Sequence, residues 1–390
     1  MNMELKISNF GPIKEANINF GNLTFLIGPQ ASGKSLSLEL LKLIVDKQHI
    51  VSTLRNYNYI LHKADAKNIL ECYFGEGLSG LFKKNTKISW SDIPFSPQNL
   101  LKTVSRKKIP DNPKESVFYV PAQRILSIAD GRPKNFMEYD ISNPYVLRRF
   151  SETLRVFMQG GLGNPDTIFP MRNRMKQAVR NSIKDTIFHD GKVVIDKTGE
   201  QRKMKIEIDD MKIPFMAWSA GQREFMPLLL AIYCLSGPPT PVINKSDYQW
   251  VIIEEPEMGL HPKAIQSILL GIIELVQNGY NVVISTHSTT FLEFVWAFNS
   301  LQSLTEEKFK EAMCEMFDIH INTTTANLFD NFKEKTIKTF YSAKKTAADG
   351  FTFADISTLD AFSEDTDVSE WGGLSSFAGK SSDIVSRYGE

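Results

Sequence analysis

The hydrophobic pattern of the first fifty residues predicts a short buried strand followed by a helix. Residues 22–27 form a nearly continuous apolar run of the length expected for a buried strand. From residue 35 to residue 44, apolar positions recur at the spacing of one helical face, at Leu36, Leu40, Leu43 and Ile44. The strand and the helix are separated by a short polar loop.

A second pattern of this kind lies beyond residue 249. Residues 250–253 and residues 281–285 are continuous apolar runs, and a helical pattern from Ala264 to Gln277 joins them. Parallel strands need a crossover connection of about this length, usually a helix. The sequence therefore predicts a parallel strand–helix–strand unit here.

The remaining patterns complete an α/β chain with a mixed or parallel sheet. Strands are predicted at residues 5–7, 16–20 and 116–120, and a helix at residues 222–233. Residues 193–195 and 204–208 predict a short antiparallel β segment, a hairpin that turns near Thr198 and Gly199. Residues 52–113 and 145–187 are interpreted as a helical insertion in one domain spanning residues 1–340.

Residues 341–390 differ in composition and are interpreted as a loosely ordered tail. Between residues 355 and 370 acidic side chains occur without any Lys or Arg. A disordered, solvated end explains this composition. Aromatic residues are scarce in purely solvating tails, so the tail is also a candidate docking segment for a partner because of Phe351, Phe353, Phe362, Trp371 and Phe377.

The loop between the first strand and its helix carries a phosphate-binding motif. It consists of Gly28, Pro29, Gln30, Ala31, Ser32, Gly33, Lys34 and Ser35, and it matches G-x-x-x-x-G-K-[ST], the P-loop. Backbone N–H groups of such a loop and the helix N-terminus face phosphates. We expect Lys34 to reach the β- and γ-phosphates and the Ser35 hydroxyl to bind Mg²⁺.

Two carboxylates follow the predicted strand at residues 250–253. Glu254 and Glu255 stand at its carboxyl end, where ligands bind in parallel α/β sheets. We expect Glu254 to hold Mg²⁺, through water because Mg²⁺ keeps part of its hydration shell. We expect Glu255 to orient and polarise an attacking water.

Composition narrows the class of protein only slightly. The chain has 390 residues and a formal charge of zero, with 45 basic and 45 acidic side chains, so the total charge favours no nucleic-acid partner and excludes none. Cys72, Cys234 and Cys314 lack metal-ligand spacing and fit a reduced, cytoplasmic protein. No apolar stretch is long enough to span a membrane, and no signal-peptide core is apparent, so no membrane partner is expected.

Three further segments resemble motifs of the ABC-type ATPases. Ser219, Ala220, Gly221 and Gln222 precede a helix and resemble the ABC signature. Residues 257–262 resemble the D-loop, and residues 285–288 resemble the switch-histidine motif, with His287 facing the γ-phosphate. The resemblance implies an ABC-ATPase-like head that is a P-loop NTPase using ATP and Mg²⁺. In this family the signature meets the γ-phosphate bound by the opposite subunit.

Three sequence segments resemble the OLD/RecF/SMC-like branch of this superfamily in particular. These segments are residues 5–13, residues 119–124 and the run from Glu254 to Pro262. The resemblance implies that Gln123 senses Mg²⁺ and the attacking water. Departures are Glu254 in place of the commoner Asp and Gln123 where relatives often have Glu. The sequence shows no long heptad run of the kind that forms SMC-type coiled-coil arms. It also shows no acidic metal-binding constellation of a Toprim nuclease after His287, so we expect an ATPase without its own effector.

The function implied by this resemblance is an ATP-driven switch that assembles as a head-to-tail dimer or higher oligomer. We expect a sensor or regulatory subunit for a separately encoded effector, such as a nuclease or toxin, in anti-phage defence. The alternative is a DNA-binding repair ATPase, in which arginines between Arg148 and Arg180 contact DNA phosphates. A solvated helical face explains the same arginines equally well. A transporter subunit would predict a complete Leu-Ser-Gly-Gly-Gln signature, which is absent.

Overall fold

The fold is built around one ten-stranded sheet. The computed structural model describes residues 3–62, 65–105, 113–163, 165–197, 202–321, 325, 327–344, 346 and 349–388. Its strands are β1 Glu4–Phe10, β2 Ile13–Asn19, β3 Leu23–Ile27, β4 Phe82–Trp90, β5 Ile93–Phe95, β6 Val117–Val120, β7 Ile128–Ala129, β8 Arg132–Pro133, β9 Thr167–Phe169, β10 Lys192–Asp196, β11 Lys203–Ile208, β12 Met211–Pro214, β13 Trp250–Glu254, β14 Asn281–Ser285, β15 Ile337–Ala343 and β16 Phe351–Asp355.

The helices lie between these strands and after them. They are α1 Lys34–Val45, α2 Lys47–Asn56, α3 Ala66–Phe74, α4 Pro97–Ser105, α5 Tyr145–Val156, α6 Gln177–Ile183, α7 Ala220–Ser236, α8 Pro262–Gln277, α9 Thr289–Leu301, α10 Glu306–Met316, α11 Thr366–Ser369 and α12 Ser376–Tyr388.

Five neighbouring strands of the large sheet are parallel. Its order is β5-β4-β1-β2-β16-β15-β3-β14-β13-β6, and the strands from β15 to β6 all run the same way. At the other side of the sheet, β1 pairs antiparallel with β2 and β4. The carboxyl ends of β3, β13 and β14 therefore meet at one edge, which is where ligands bind in such sheets.

Hydrophobic cores cover both faces of the parallel strands. In β3, Leu23, Phe25 and Ile27 join the core that contains α7, α8 and α9. Leu26 joins the core that contains α1, α2 and α3. Burial on both faces explains why these strands read as continuous apolar runs instead of alternating ones.

Several predicted elements are confirmed. The structure contains β3 followed by α1, and β13 and β14 are parallel strands joined through α8. The hairpin of β10 and β11 is present in a separate four-stranded antiparallel sheet, β12-β11-β10-β9. Its predicted turn at Thr198 and Gly199 lies outside the described residues.

The predicted helical insertion at residues 52–113 contains α3 and α4, but it also contains two strands that the sequence did not predict. This region contains β4 and β5, which extend the large sheet beyond β1. The hydrophobic pattern does not indicate a strand here, because the exposed Lys83, Lys84 and Lys87 separate the apolar residues at the two ends of β4 that pack on the core. The long-range pairing with β1, and not local hydrophobicity, makes this segment a strand.

The predicted boundary at residue 340 falls inside a strand, so the tail does not begin there. β15 spans residues 337–343 and pairs with β3, and β16 joins β15 to β2. Trp371 lies 6.5 Å from Trp296 between ring centroids and donates its indole N–H to the Leu359 carbonyl at 3.3 Å. Of the five aromatic residues in the predicted docking segment, Phe362 and Phe377 are strongly exposed, at 96% and 81%.

Candidate active site

The P-loop, residues 28–35, turns between β3 and α1 with a backbone that requires glycine. Gly28 and Gly33 have φ values of 140° and 94°. A Cβ at Gly28 would lie 2.6 Å from the Ser342 carbonyl oxygen, and one at Gly33 would lie 2.5 Å from Ile13 Cγ1. The loop borders a cleft of about 470 Å³ that residues 30–36, Pro12, Glu255 and His287 line.

Lys34 is held over the P-loop by the carbonyls of the loop itself. Its Nζ donates to the carbonyl oxygens of Gly28 and Pro29, both at 2.8 Å, and the residue is only 6% exposed. Burial lowers the pKa of Lys34 to about 8, and the nearby carboxylates of Glu255, Glu257 and Glu254 oppose the shift. A buried ammonium of this kind is placed to exchange weak carbonyl partners for anionic oxygens.

Ser35 lines the cleft, and the buried carboxylate of Glu254 lies beside the Ser35 hydroxyl. Glu254 is 2% exposed, and its Oε2 accepts the Ala122 N–H at 3.1 Å. Burial raises the pKa of Glu254, while the Ser35 hydroxyl, the Ala122 amide and Tyr119 oppose the rise. Among the described residues, Oε1 has no hydrogen-bond partner. A buried carboxylate oxygen without a partner, beside a hydroxyl, fits a divalent cation such as Mg²⁺.

Glu255 faces the same cleft in a strained backbone conformation. Its φ is 43°, in the left-handed region, and its N–H donates to the Ser285 carbonyl at 2.8 Å. Its Oε1 lies 3.6 Å from Nε2 of His287, and both side chains are about one third exposed. The interaction with His287 is the main cause that lowers the pKa of Glu255. The pairing therefore favours the charged form of this carboxylate at the cleft.

Glu257 fixes the backbone that carries His287. Its Oε1 accepts the Thr286 hydroxyl and the His287 N–H, both at 2.7 Å. The sequence placed Glu257 in a D-loop-like segment but gave it no role. Its partners come from another strand end, so local spacing carries no signal for this contact.

Arg124 is a second residue whose role the sequence did not reveal. It is fully buried, and its guanidinium donates to the carbonyls of Glu254 and Glu255 at 3.0 Å and, from Nε, to the carbonyl of Glu224 in α7 at 3.0 Å. Its neighbour Gln123, predicted to sense Mg²⁺ and water, is exposed and is not among the described residues that line the cleft.

The signature segment, Ser219 to Gln222, does not contribute to the cleft of its own chain. Ser219 caps α7, its Oγ accepting the Gln222 N–H at 3.3 Å while Gln222 Oε1 accepts the Ser219 N–H at 3.2 Å. Ser219 and Ala220 are exposed. A Cβ at Gly221 would lie 2.8 Å from the Gly259 carbonyl oxygen, so the helix start packs directly on the segment after Glu255.

The arginines between residues 148 and 180 are mostly engaged inside the molecule. Arg148 is 0% exposed and donates to the Tyr59 hydroxyl and the Cys72 carbonyl. Arg149 and Arg155 form ion pairs at 2.7 and 2.6 Å with Glu115 and Glu152, respectively. Two more donate to backbone carbonyls: Arg174 to Gly161, and Arg180 to Arg172 and Met175. The prediction that these arginines contact phosphates is therefore wrong for these residues, and so is the prediction that they form a solvated helical face.

Two family models match the chain over its motif-bearing parts. The model for an AAA ATPase domain matches residues 1–119. A second model for an AAA domain, whose description also names the AbiEii toxin and "Type IV TA system", matches residues 177–293. The first match includes the P-loop, and the second includes the signature segment, both carboxylates and His287.

Similar proteins include the Old nuclease of Escherichia phage P2, which is 41% identical over 59 residues. The match covers 15% of this chain and 10% of that relative, so the chain spans about a tenth of the relative's length. Solved structures include the SMC head domain from Thermotoga maritima, with a TM-score of 0.35 at 11% identity, covering 75% of this chain and 92% of that chain. A dimeric structure of a bacterial ABC transporter cassette has a TM-score of 0.31 at 14% identity, covering 74% and 90%.

A parallel sheet with a P-loop at its carboxyl edge, two carboxylates on a neighbouring strand and a histidine beyond them defines an ABC-type ATPase fold. The models that match residues 1–119 and 177–293 agree in describing AAA-type domains. Within the described residues, no helix is long and apolar enough to cross a membrane.

Proposed function

We propose that the chain binds ATP with Mg²⁺ and hydrolyses it between two copies assembled head to tail. One observation carries the proposal. Lys34, Ser35, Glu255 and His287 line one cleft, with the buried Glu254 carboxylate beside Ser35, whereas the signature segment lies outside it. A signature that acts on the nucleotide of a second copy accounts for both halves of this arrangement.

In this proposal each side chain has a separate task. Lys34 leaves the Gly28 and Pro29 carbonyls and binds the β- and γ-phosphates, together with backbone N–H groups of the P-loop. Ser35 and Glu254 hold Mg²⁺, which supplies charge stabilisation for the phosphoryl oxygens. Glu255 orients the attacking water, and His287 faces the γ-phosphate while holding the Glu255 carboxylate.

The signature segment completes the site of the opposite copy. Ser219 offers a hydroxyl and Gly221 a backbone N–H at the N-terminus of α7, a 17-residue helix whose positive end favours anions. A single copy would then bind ATP but hydrolyse it poorly, because the contacts of the signature segment with the γ-phosphate would be missing.

The biological role that we propose is that of a regulatory ATPase for a separately encoded effector, such as a nuclease or toxin, in anti-phage defence. A matched family description that names a toxin and a phage relative that is a nuclease support this role. The alternative of a DNA-binding repair ATPase loses its main support, since the arginines that would contact phosphates are engaged internally.

The catalytic proposal is tested by the substitution Glu255→Gln. The amide keeps the shape but cannot polarise water, so we expect kcat for ATP to fall about 10²- to 10⁴-fold while ATP still binds. Glu293→Gln, an exposed glutamate on α9, is the matched control and should keep full activity. Unchanged hydrolysis in Glu255→Gln, or a wild-type protein that does not bind ATP, would contradict the proposal.

A further inference from the structure

Arg124 joins the two parts of the molecule that the proposed mechanism uses on different nucleotides. One part is the carboxylate segment, Glu254 to Pro256, which serves the chain's own cleft. The other is α7, which begins at the signature segment. The Arg124 guanidinium donates to the carbonyls of Glu254 and Glu255 at 3.0 Å and of Pro256 at 3.4 Å, while Nε donates to the Glu224 carbonyl at 3.0 Å.

This link is stiff because of its chemistry. Arg124 is 0% exposed, and its four hydrogen bonds all go to main-chain carbonyls. A buried guanidinium that loses an acceptor retains its desolvation cost, so partial breakage is unfavourable. A planar fork with donors in fixed directions also sets the relative position of the two segments, which a lysine ammonium cannot do.

A second contact, at the start of α7, reinforces the link. The Gly259 carbonyl packs against Gly221, where a Cβ would come within 2.8 Å. A Cβ at Gly259 would in turn lie 3.3 Å from Glu224 Cγ. With no free space between them, the start of α7 and residues 254–259 must move together.

We propose that Arg124 is a positioning residue that couples engagement of the signature segment to the placement of Glu255. This inference rests on the proposed function. When α7 of one copy meets the nucleotide in the partner's cleft, the Arg124 link moves residues 254–256 of the first copy, and Glu255 reaches its water-orienting position. Each copy thus hydrolyses its own ATP efficiently only when its signature is engaged, which makes the two sites cooperative.

The test is ATP hydrolysis by Arg124→Lys as a function of ATP concentration. Lysine keeps the buried charge but cannot bridge both segments. We expect kcat to fall about 10- to 100-fold, as for a small misplacement of a reacting group. KM should stay within about threefold, since phosphate binding is untouched. The Hill coefficient, above 1 in the wild type and bounded by about 2 for two sites, should fall to about 1.

Arg174→Lys is the matched control. Arg174 is also a buried arginine that donates to a main-chain carbonyl, that of Gly161, but it is not among the residues that line the cleft. This variant should keep the wild-type Hill coefficient. If Arg124→Lys hydrolyses ATP with wild-type kcat and cooperativity, or if it loses kcat only in step with thermal stability as Arg174→Lys does, the inference is overturned.

Amide hydrogen exchange of the wild-type protein gives a readout that does not depend on the folding of a variant. On assembly with ATP, amides at residues 220–224 and 254–257 should gain protection together. Independent protection of the two segments overturns the coupling even if ATP is hydrolysed. A wild-type protein that does not hydrolyse ATP at all overturns the proposed function and this inference with it.

Discussion

The two ends of α1 carry buried lysines that have opposite surroundings. At the C-terminal end, Lys42 is 1% exposed and donates to Asp46 at 3.1 Å, Glu115 at 2.9 Å and the Val117 carbonyl at 2.7 Å. Burial lowers the pKa of Lys42, but Glu115 and Asp46 outweigh it, so the pKa is raised. At the N-terminal end, Lys34 has main-chain carbonyls and a hydroxyl as acceptors, and its pKa falls to about 8.

The difference separates a structural charge cluster from a ligand site. Around Lys42 every charge faces a countercharge; Glu115 also pairs with Arg149 at 2.7 Å, and these cations hold the pKa of Glu115 well below its usual range despite burial. Around Lys34, in contrast, carboxylate oxygens remain without partners among the described residues, namely Glu254 Oε1 and Glu257 Oε2. Buried charges that lack partners indicate where a charged ligand belongs.

The largest expected effect is on stability, from Lys42→Met. This change leaves Asp46 and Glu115 buried with less countercharge, and removing one partner of a buried pair costs about 3–5 kcal/mol. We expect this loss in the free energy of unfolding, measured by urea denaturation, with the ATP affinity of the folded fraction unchanged. A stability equal to that of the wild type would show that the cluster is not a structural one.

The matched substitution at the other end, Lys34→Met, should have the reverse profile. ATP affinity should fall at least about 100-fold, or about 2.7 kcal/mol, because a charge-assisted contact to phosphate is lost. Unfolding free energy should change by less than about 1 kcal/mol, since the lost partners are only neutral acceptors. Calorimetric titration with ATP measures the affinity, and urea denaturation measures the unfolding free energy. An unchanged ATP affinity would contradict the assignment of Lys34 to a ligand site.

A smaller effect concerns His49, which borders the Lys42 cluster at 3.8 Å from Glu115. Burial is the main cause that lowers the pKa of His49 from 6.5 to about 4. Above pH 6.5 both folded and unfolded chains hold it neutral. As the pH falls from about 6.5 toward 4, the unfolded chain takes up a proton that the folded chain does not, so stability is lost.

The expected loss from this histidine is roughly 2.5 kcal/mol by about pH 4.5. His49→Gln should remove that part of the decline in unfolding free energy measured across this range. His320→Gln, at an exposed histidine, is the control and should follow the wild-type curve. Identical pH profiles for His49→Gln and the wild type would contradict the burial of a neutral imidazole.

The sequence predicts the parts of the site that follow from local spacing. The P-loop, Glu254 and Glu255 each stand at a strand end, and parallel strands bring such ends to one edge. Glu257 and Arg124 could not be assigned in this way, because their partners are carbonyls and amides from elements far away in the chain. The same limit explains β15 and β16, whose place in the sheet depends on pairing with β3 and β2. It also explains why the burial of Arg148 was not predicted, since the sequence alone does not show whether an arginine in a helix is buried or exposed.

The central claim is that ATP brings two copies together through the signature segment. The most direct measurement is sedimentation velocity of Glu255→Gln, with and without ATP and Mg²⁺. The account predicts a larger species only with ATP, and its loss when Ser219→Arg is added to the same variant. An unchanged sedimentation coefficient for Glu255→Gln with bound ATP would contradict the account.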